Sequence, residues 1–268
     1  MEGVVFMKTK IMQKLGMSWL ILLFLSLPAL AQRDTLVQVS TIDALLGGLY
    51  DGSMSIGELC RHGDFGIGTF DKLNGEMLVV EGTVYRVRSD GGVDIVADSE
   101  TTPFAAVTFF DAELQKQIPA GTDYQSFKQW LDNLLPSPNL FYAVRIEGRF
   151  RFMKTRSVPP QHKPYPALAE VARHQPEFAF EDVAGVIVGY RSPAFVKGIG
   201  VPGYHLHFLT RDRLAGGHIL GFTVDRARVT VDQTADLLLR LPETSGFSGM
   251  DLGKDRSTEL KQVEQEHR

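Results

Sequence analysis

Apolar and polar residues alternate along most of this chain with a period of two, the signature of strands with one buried face. "TLVQVS" (35–40) opens the pattern, and "DKLNGEMLVVEGTVYRV" (71–87) holds two apolar runs broken at Asn74-Gly75 and Glu81-Gly82. Asn-Gly between strand-like runs is a strong hairpin signal, Glu-Gly a weaker one. "FAAVTFF" (104–110) reads as a buried strand, and "LFYAVRIEGRFRFMKTRSV" (140–158) alternates across Gly148. Past residue 180, "VAGVIVGYRSP", "GYHLHFLT", "GGHILGFTVDRARVTVDQ" and "ADLLLRLP" continue the strand pattern between turns rich in Gly, Asp and Pro.

Helical spacing is sparser. "TIDALLGGLYDG" (41–52) reads as a helix that Met54 to Leu59 continue. Tyr124, Phe127, Leu131 and Leu134/Leu135 repeat on one helical face, and Pro136 ends that helix. A short helix, Ala167 to Arg173, lies between prolines that rule out regular structure at both ends. The polar stretch after Ser248 reads as a terminal helix or tail. The fold class expected is α+β: two β-rich portions with mixed or antiparallel sheets and a few helices. The proline-rich segment sets the expected division into a β-rich domain at 32–160, a second at 161–247 and a tail at 248–268.

The N-terminus departs from this pattern. Lys8, Lys10 and Lys14 precede the apolar run "LGMSWLILLFLSLPALA", which closes on Ala29-Leu30-Ala31. A basic start, a short apolar stretch and an A-x-A ending read as a secretory signal peptide cleaved after Ala31. A membrane anchor is the weaker reading, because the run holds Pro28 and falls short of the roughly 20 residues of a spanning helix. Residues 1–31 hold three lysines and one glutamate, so the remainder carries 25 basic and 31 acidic side chains, a net of −6. The mature chain is therefore expected to be exported, periplasmic or extracellular, with no membrane attachment after cleavage. Its acidity argues against nucleic acid as a partner. A homodimer is compatible with the chain, although no apolar stripe marks an interface. The lone Cys60 has no disulfide partner and reads as a structural thiol.

Three of the seven histidines fall within fourteen positions, His205 to His218. On a strand, residues two apart share a face, so His205 and His207 project together while Leu206 faces the other way. "TRDRLAGG" turns the chain, and His218 returns on the expected neighbouring strand. Two imidazoles from one strand and one from its partner, on a C-terminal β-hairpin, can converge on one ion and leave positions open, as in a catalytic zinc site. Iron, copper or nickel would also accept such ligands. A cupin would place a glutamate soon after H-x-H, where Thr210, Arg211 and Asp212 stand instead. His62, His162, His174 and His267 have no spacing partner and read as surface residues. No G-x-S-x-G elbow, P-loop or dinucleotide fingerprint is present.

The segments "FGIGTFDKLNGEMLVVEGTVYRVRSDG", "LPSPNLFYAVRIEGRF", "KTRSV" and "GYHLHFLTRDRLAGGHILGF" together resemble the α-acetolactate decarboxylase family, from about residue 35 to the C-terminus. The resemblance implies zinc-dependent decarboxylation of 2-acetolactate to (R)-acetoin and CO2 through a metal-stabilised enediolate. It implies Zn2+ on His205, His207 and His218, with Glu76, Arg156 and Glu264 as catalytic groups. Glu264 is matched by its distance from the histidines, with Glu266 in reserve and Glu259 also in the tail. Arg145, in "YAVRIEG", is a further residue with a structural or supporting role. Without the resemblance, Glu76 would read as a solvated turn residue, Arg156 as an exposed strand residue and Glu264 as part of a charged tail. The competing reading is an exported, non-catalytic β-barrel module that binds a metal or ligand through the same histidines.

Overall fold

The structure, a computed structural model, describes residues 34–264. The expected signal peptide, Glu266 and His267 lie outside the described residues. Strands dominate, as the alternation predicts. A seven-stranded mixed sheet is built from β1 (Thr35–Val39), β3 (Phe65–Thr69), β4 (Glu76–Val80), β5 (Thr83–Val87), β6 (Val93–Ile95), β8 (Ala105–Thr108) and β14 (Asp236–Arg240), in the order β14-β1-β8-β3-β4-β5-β6. Only the β1–β14 pair is parallel. A two-stranded ribbon pairs β2 (Met54–Ser55) with β7 (Thr101–Thr102).

The second sheet holds β9 (Leu114–Ile118), β10 (Phe141–Arg156), β11 (Glu177–Ser192), β12 (Gly203–Thr210) and β13 (Gly216–Thr234). It curls until β10 pairs with both β11 and β13, which closes β10-β11-β12-β13 into a ring. Alternation decides what each face meets. Val144, Ile146, Phe150, Ile187, Leu206, Phe208 and Phe222 fill the inside of the ring, and Phe127 and Leu131 of α3 (Tyr124–Asp132) complete that core. Residues of the opposite parity, among them Ala143, Val186 and Val188, pack on Leu36, Ile67, Leu78 and Ala106 of the first sheet. Each such large apolar side chain contributes roughly 1.5–3 kcal/mol on full burial. A third cluster joins α1 (Ile42–Leu46), α4 (Leu168–Ala172) and α6 (Ser257–Glu264). The remaining helices are α2 (Ile56–Leu59) and α5 (Ser245–Ser248). Among the described residues no helix is long and apolar enough to cross a membrane.

Several local expectations are corrected. The stretch after Thr41 is not one helix: α1 stops at Gly47, Gly48 turns at φ 94°, and β2 intervenes before α2. Asn74-Gly75 is not a tight hairpin, since β3 and β4 are joined through residues 70–75, with Lys72 and Leu73 in the left-handed region. The tight hairpin is at Glu81-Gly82, both at positive φ, as a type I′ turn requires. The boundary expected at 160/161 runs through one sheet rather than between two. Prolines do interrupt the chain there, but β10 and β11 on either side pair from Tyr142↔Arg191 to Arg156↔Glu177. The first sheet also reaches past that boundary to recruit β14. Cys60 is half-buried, and burial pushes its thiol pKa up, which keeps it inert.

Candidate metal centre

The centre forms where the outside of the ring meets the first sheet. His205 and His207 lie on β12 with the parity opposite to Leu206 and Phe208, so they leave the ring interior and face β4. A five-residue turn, capped by Thr210 Oγ1 donating to Asp212 and accepting from Leu214 and Ala215 N–H, brings β13 back with His218 directly opposite His207. One ligand nitrogen from each of the three rings lies within 4.8 Å of the others.

Burial is the first cause that pushes each imidazole pKa down, to about 3 for His205 and well below the usual range for His207 and His218. The Arg156 cation and the neighbouring rings push the same way. All three are therefore neutral and offer lone pairs. His207 Nδ1 donates to the Met77 carbonyl at 2.9 Å, which orients the ring and leaves Nε2 as its free donor atom. That Nε2 lies 3.3 Å from His218 Nδ1. Zinc–nitrogen bonds of about 2.05 Å at tetrahedral angles put two ligand nitrogens about 3.3 Å apart. Neutral imidazoles in this arrangement, with one ring braced by a carbonyl, fit a metal ion that takes nitrogen ligands.

Glu76 opens β4, just after Gly75, whose φ of 92° lets the chain turn out of the preceding loop. Its carboxylate reaches to 3.6 Å from His207 Nε2. Arg156 is the last residue of β10, opposite His218 in register and only 3% exposed. Glu264 ends α6, where Leu260 and Val263 pack into the helical cluster and carry the carboxylate to 3.5 Å from His218 Nε2. Burial raises both carboxyl pKa values to about 7, against the pull of Arg156, and Glu264 adds to the rise at Glu76. Burial in turn lowers the guanidinium pKa, which the two carboxylates oppose. Arg156 Nε and Nη1 are buried without a hydrogen-bond partner.

Glu76, Arg156, His205, His218 and Glu264 line a cavity of about 50 Å³ whose other walls include Ile42, Leu45, Phe104, Val158, Leu168 and Val263. Glu264 also lines a larger cavity of about 990 Å³, with Tyr124, Lys128, Arg191 and Tyr204 among its other walls. The structure thus brings together His205, His207, His218, Glu76, Arg156 and Glu264. It leaves out Arg145, which is engaged by Glu81 and Glu147, and Glu259, which pairs with Arg256 at 2.7 Å. His162 and His174 are exposed, whereas His62 is partly buried with an unpartnered Nδ1. Gln175 was invisible to pattern reading: it lines the cavity, and both polar atoms of its amide are buried without a partner. No spacing signal marks a lone glutamine after a short helix.

Comparison with known proteins gives a consistent result. The family model described as alpha-acetolactate decarboxylase matches residues 36–254. An alpha-acetolactate decarboxylase of Methanosarcina mazei is 47% identical over 231 residues, covering 86% of this chain and 80% of that protein. That of Bacillus subtilis strain 168 is 43% identical over 215 residues, covering 80% and 84%. The crystal structure of the Bacillus subtilis strain 168 enzyme superimposes with a TM-score of 0.85 at 40% identity, covering 87% of this chain and all of that one (100%).

Proposed function

Since the chain belongs to the alpha-acetolactate decarboxylase family, we propose that it converts 2-acetolactate to (R)-acetoin and CO2 with a Zn2+ ion held by His205, His207 and His218. The observation that carries this reading is the convergence of three neutral imidazoles, two carboxyls and an unpartnered guanidinium, all but His207 lining one largely apolar cavity. When bound, the ion supplies a Lewis acid for the electron pair released as CO2 leaves, its charge undiminished by neutral ligands.

The protein's own groups do the rest. Arg156 binds and orients the substrate carboxylate through its two free donors. Breaking the bond to that carboxylate releases CO2 and shifts the bonding pair toward the adjacent ketone, leaving an enediolate. The apolar walls exclude water, so this species takes its proton from a side chain rather than from solvent. Glu76, beside His207, and Glu264, beside His218, are the carboxyls that can deliver it, and delivery to one face of the carbon gives one acetoin enantiomer. A module that merely binds a metal would have no use for Glu76, Arg156 and Glu264.

Glu76→Gln tests the assignment. The variant should keep its metal, measured by atomic emission, and lose turnover by about 100-fold or more, the usual worth of a positioned acid–base group. Normal turnover with normal (R)-selectivity would remove Glu76 from the mechanism. We also propose that the chain is exported and begins, once mature, at Gln32, which N-terminal sequencing of the secreted protein would test.

A further inference from the structure

Midway along β10 and β13, seven residues before Arg156 and eight after His218, lies a concavity of about 310 Å³ lined by Arg149, Arg211, Arg226 and Arg228, with Gln117 and Glu147. Its position follows from strand alternation. Along β10, Ala143 belongs to the core between the sheets, and Arg145 reaches Glu81 in the β4–β5 turn. Glu147 and Arg149 continue the same face beyond that turn, where Glu147 is half-buried and Arg149 is exposed. β13 contributes Arg226 and Arg228 opposite them, and Arg211 arrives from the end of β12, its backbone N–H held by the Ala184 carbonyl.

The charge arrangement has no internal balance. Arg149 and Arg226 stand directly opposite each other in register, a like-charge pair of the kind that destabilises a sheet. The single carboxylate in the concavity, Glu147, is already shared between Arg145 and Arg228, the latter at 3.3 Å. Among the described residues, the side chains of Arg149, Arg211 and Arg226 form no ion pair or hydrogen bond, although the chain as a whole carries a net −4. Asp212 at the neighbouring rim is held by the Thr210 hydroxyl at 2.6 Å. Elsewhere on these strands, by contrast, Arg151 has Asp225 and Lys154 has Glu177.

We propose that this arginine-lined concavity is a binding site for a small multivalent oxyanion of the phosphate class, separate from the metal centre. Four guanidinium forks around one hollow offer the planar, paired donors that phosphate oxygens accept. An anion seated there would neutralise the Arg149–Arg226 pair.

The test is thermal unfolding of the intact, metal-loaded protein titrated with inorganic phosphate and, separately, with sulfate, against sodium chloride at matched ionic strength. Wild type should show a saturable rise in Tm with phosphate and sulfate beyond that of chloride. Arg149→Gln should melt at or above wild type without the anion, because a like-charge contact is gone. It should bind phosphate at least tenfold more weakly and keep its acetoin-forming activity. Arg151→Gln, off the concavity, should respond to phosphate as wild type does. The proposal is overturned if phosphate does no more than chloride, or if Arg149→Gln and Arg151→Gln respond alike. It is overturned also if sedimentation shows that these arginines instead hold a second copy of the chain, with self-association lost in Arg149→Gln and no anion bound.

Discussion

Replacing Arg156 by methionine separates function from stability. The guanidinium is 3% exposed, and Nε and Nη1 have no partner in the protein, so they are available to the substrate carboxylate. Charge-assisted hydrogen bonds contribute about 1.5–3 kcal/mol each, and allowing for non-additivity the pair is worth about 3 kcal/mol. At about 1.4 kcal/mol per factor of ten, Arg156→Met should lower kcat/KM roughly 100-fold. Stability should respond far less. A buried donor left unsatisfied costs about 1–3 kcal/mol, so removing two of them offsets the lost attraction to Glu76 and Glu264. Those carboxyls have pKa values raised to about 7 and can take up protons once the cation is gone. The unfolding free energy is expected to stay within about 1 kcal/mol of wild type. Arg156→Lys should recover only part of the activity, because one ammonium cannot form the paired contact. Initial rates of acetoin formation at low substrate, beside guanidinium melts, provide the assay. A metal-loaded Arg156→Met enzyme within threefold of wild-type kcat/KM would refute the reasoning. So would an activity loss fully explained by unfolding.

Other changes probe the frame around the centre. Gly217 sits at φ 134° between Gly216 and His218, and a β-carbon there would meet the Arg156 carbonyl oxygen at 2.4 Å. Backbone strain of about 1–3 kcal/mol and a similar packing penalty predict that Gly217→Ala loses about 2–5 kcal/mol in a urea melt; a loss below 0.5 kcal/mol, on the order of an exposed surface change, would contradict this. Gln175→Leu removes the unpartnered amide from the cavity, and KM for 2-acetolactate should rise several-fold with the metal retained; an unchanged KM would exclude contact with the substrate. Asp232 is 2% exposed, and its pKa is raised to about 7, chiefly by burial. A carboxyl whose folded pKa is raised contributes stability below its unfolded value, and that contribution is lost as pH rises through about 7. Asp232→Asn keeps an oxygen for the Asp111 N–H and should become progressively more stable than wild type from pH 5 to 8, by up to a few kcal/mol. A difference that does not change with pH would count against a buried, raised Asp232.

Much of this architecture was legible in the order of residues. Alternation on "GYHLHFLT" separated the histidine face from Leu206 and Phe208, because the period of a strand is a local geometric property. The return of His218 opposite His207 followed from a short polar turn. What local pattern could not provide was the pairing of distant segments. β10 pairs with β11 across a proline-rich excursion and with β13 further on, and nothing in the 141–156 alternation names either partner. Glu76, Arg156 and Glu264 come from the start of an interior strand, the end of a strand in the other sheet and the helix α6, so their shared cavity exists only once the two sheets and α6 pack. Their assignment came from resemblance, not from spacing. Gln175 had neither. At Asn74-Gly75 the local signal misled because the loop also places Glu76: Lys72 N–H binds the Tyr50 carbonyl, and Thr69 Oγ1 binds the Gly75 carbonyl.

The central claim is that decarboxylation depends on an ion held by His205, His207 and His218. The direct measurement is acetoin formation from racemic 2-acetolactate by the protein from residue 32 onward, as isolated, after chelation, and after addition of one equivalent of Zn2+, with His207→Ala in parallel. The account predicts that acetoin formation disappears with the metal and returns with zinc, and that His207→Ala neither binds the ion nor turns over. Full activity in the stripped protein, or a folded, zinc-loaded protein that makes no acetoin, would contradict it.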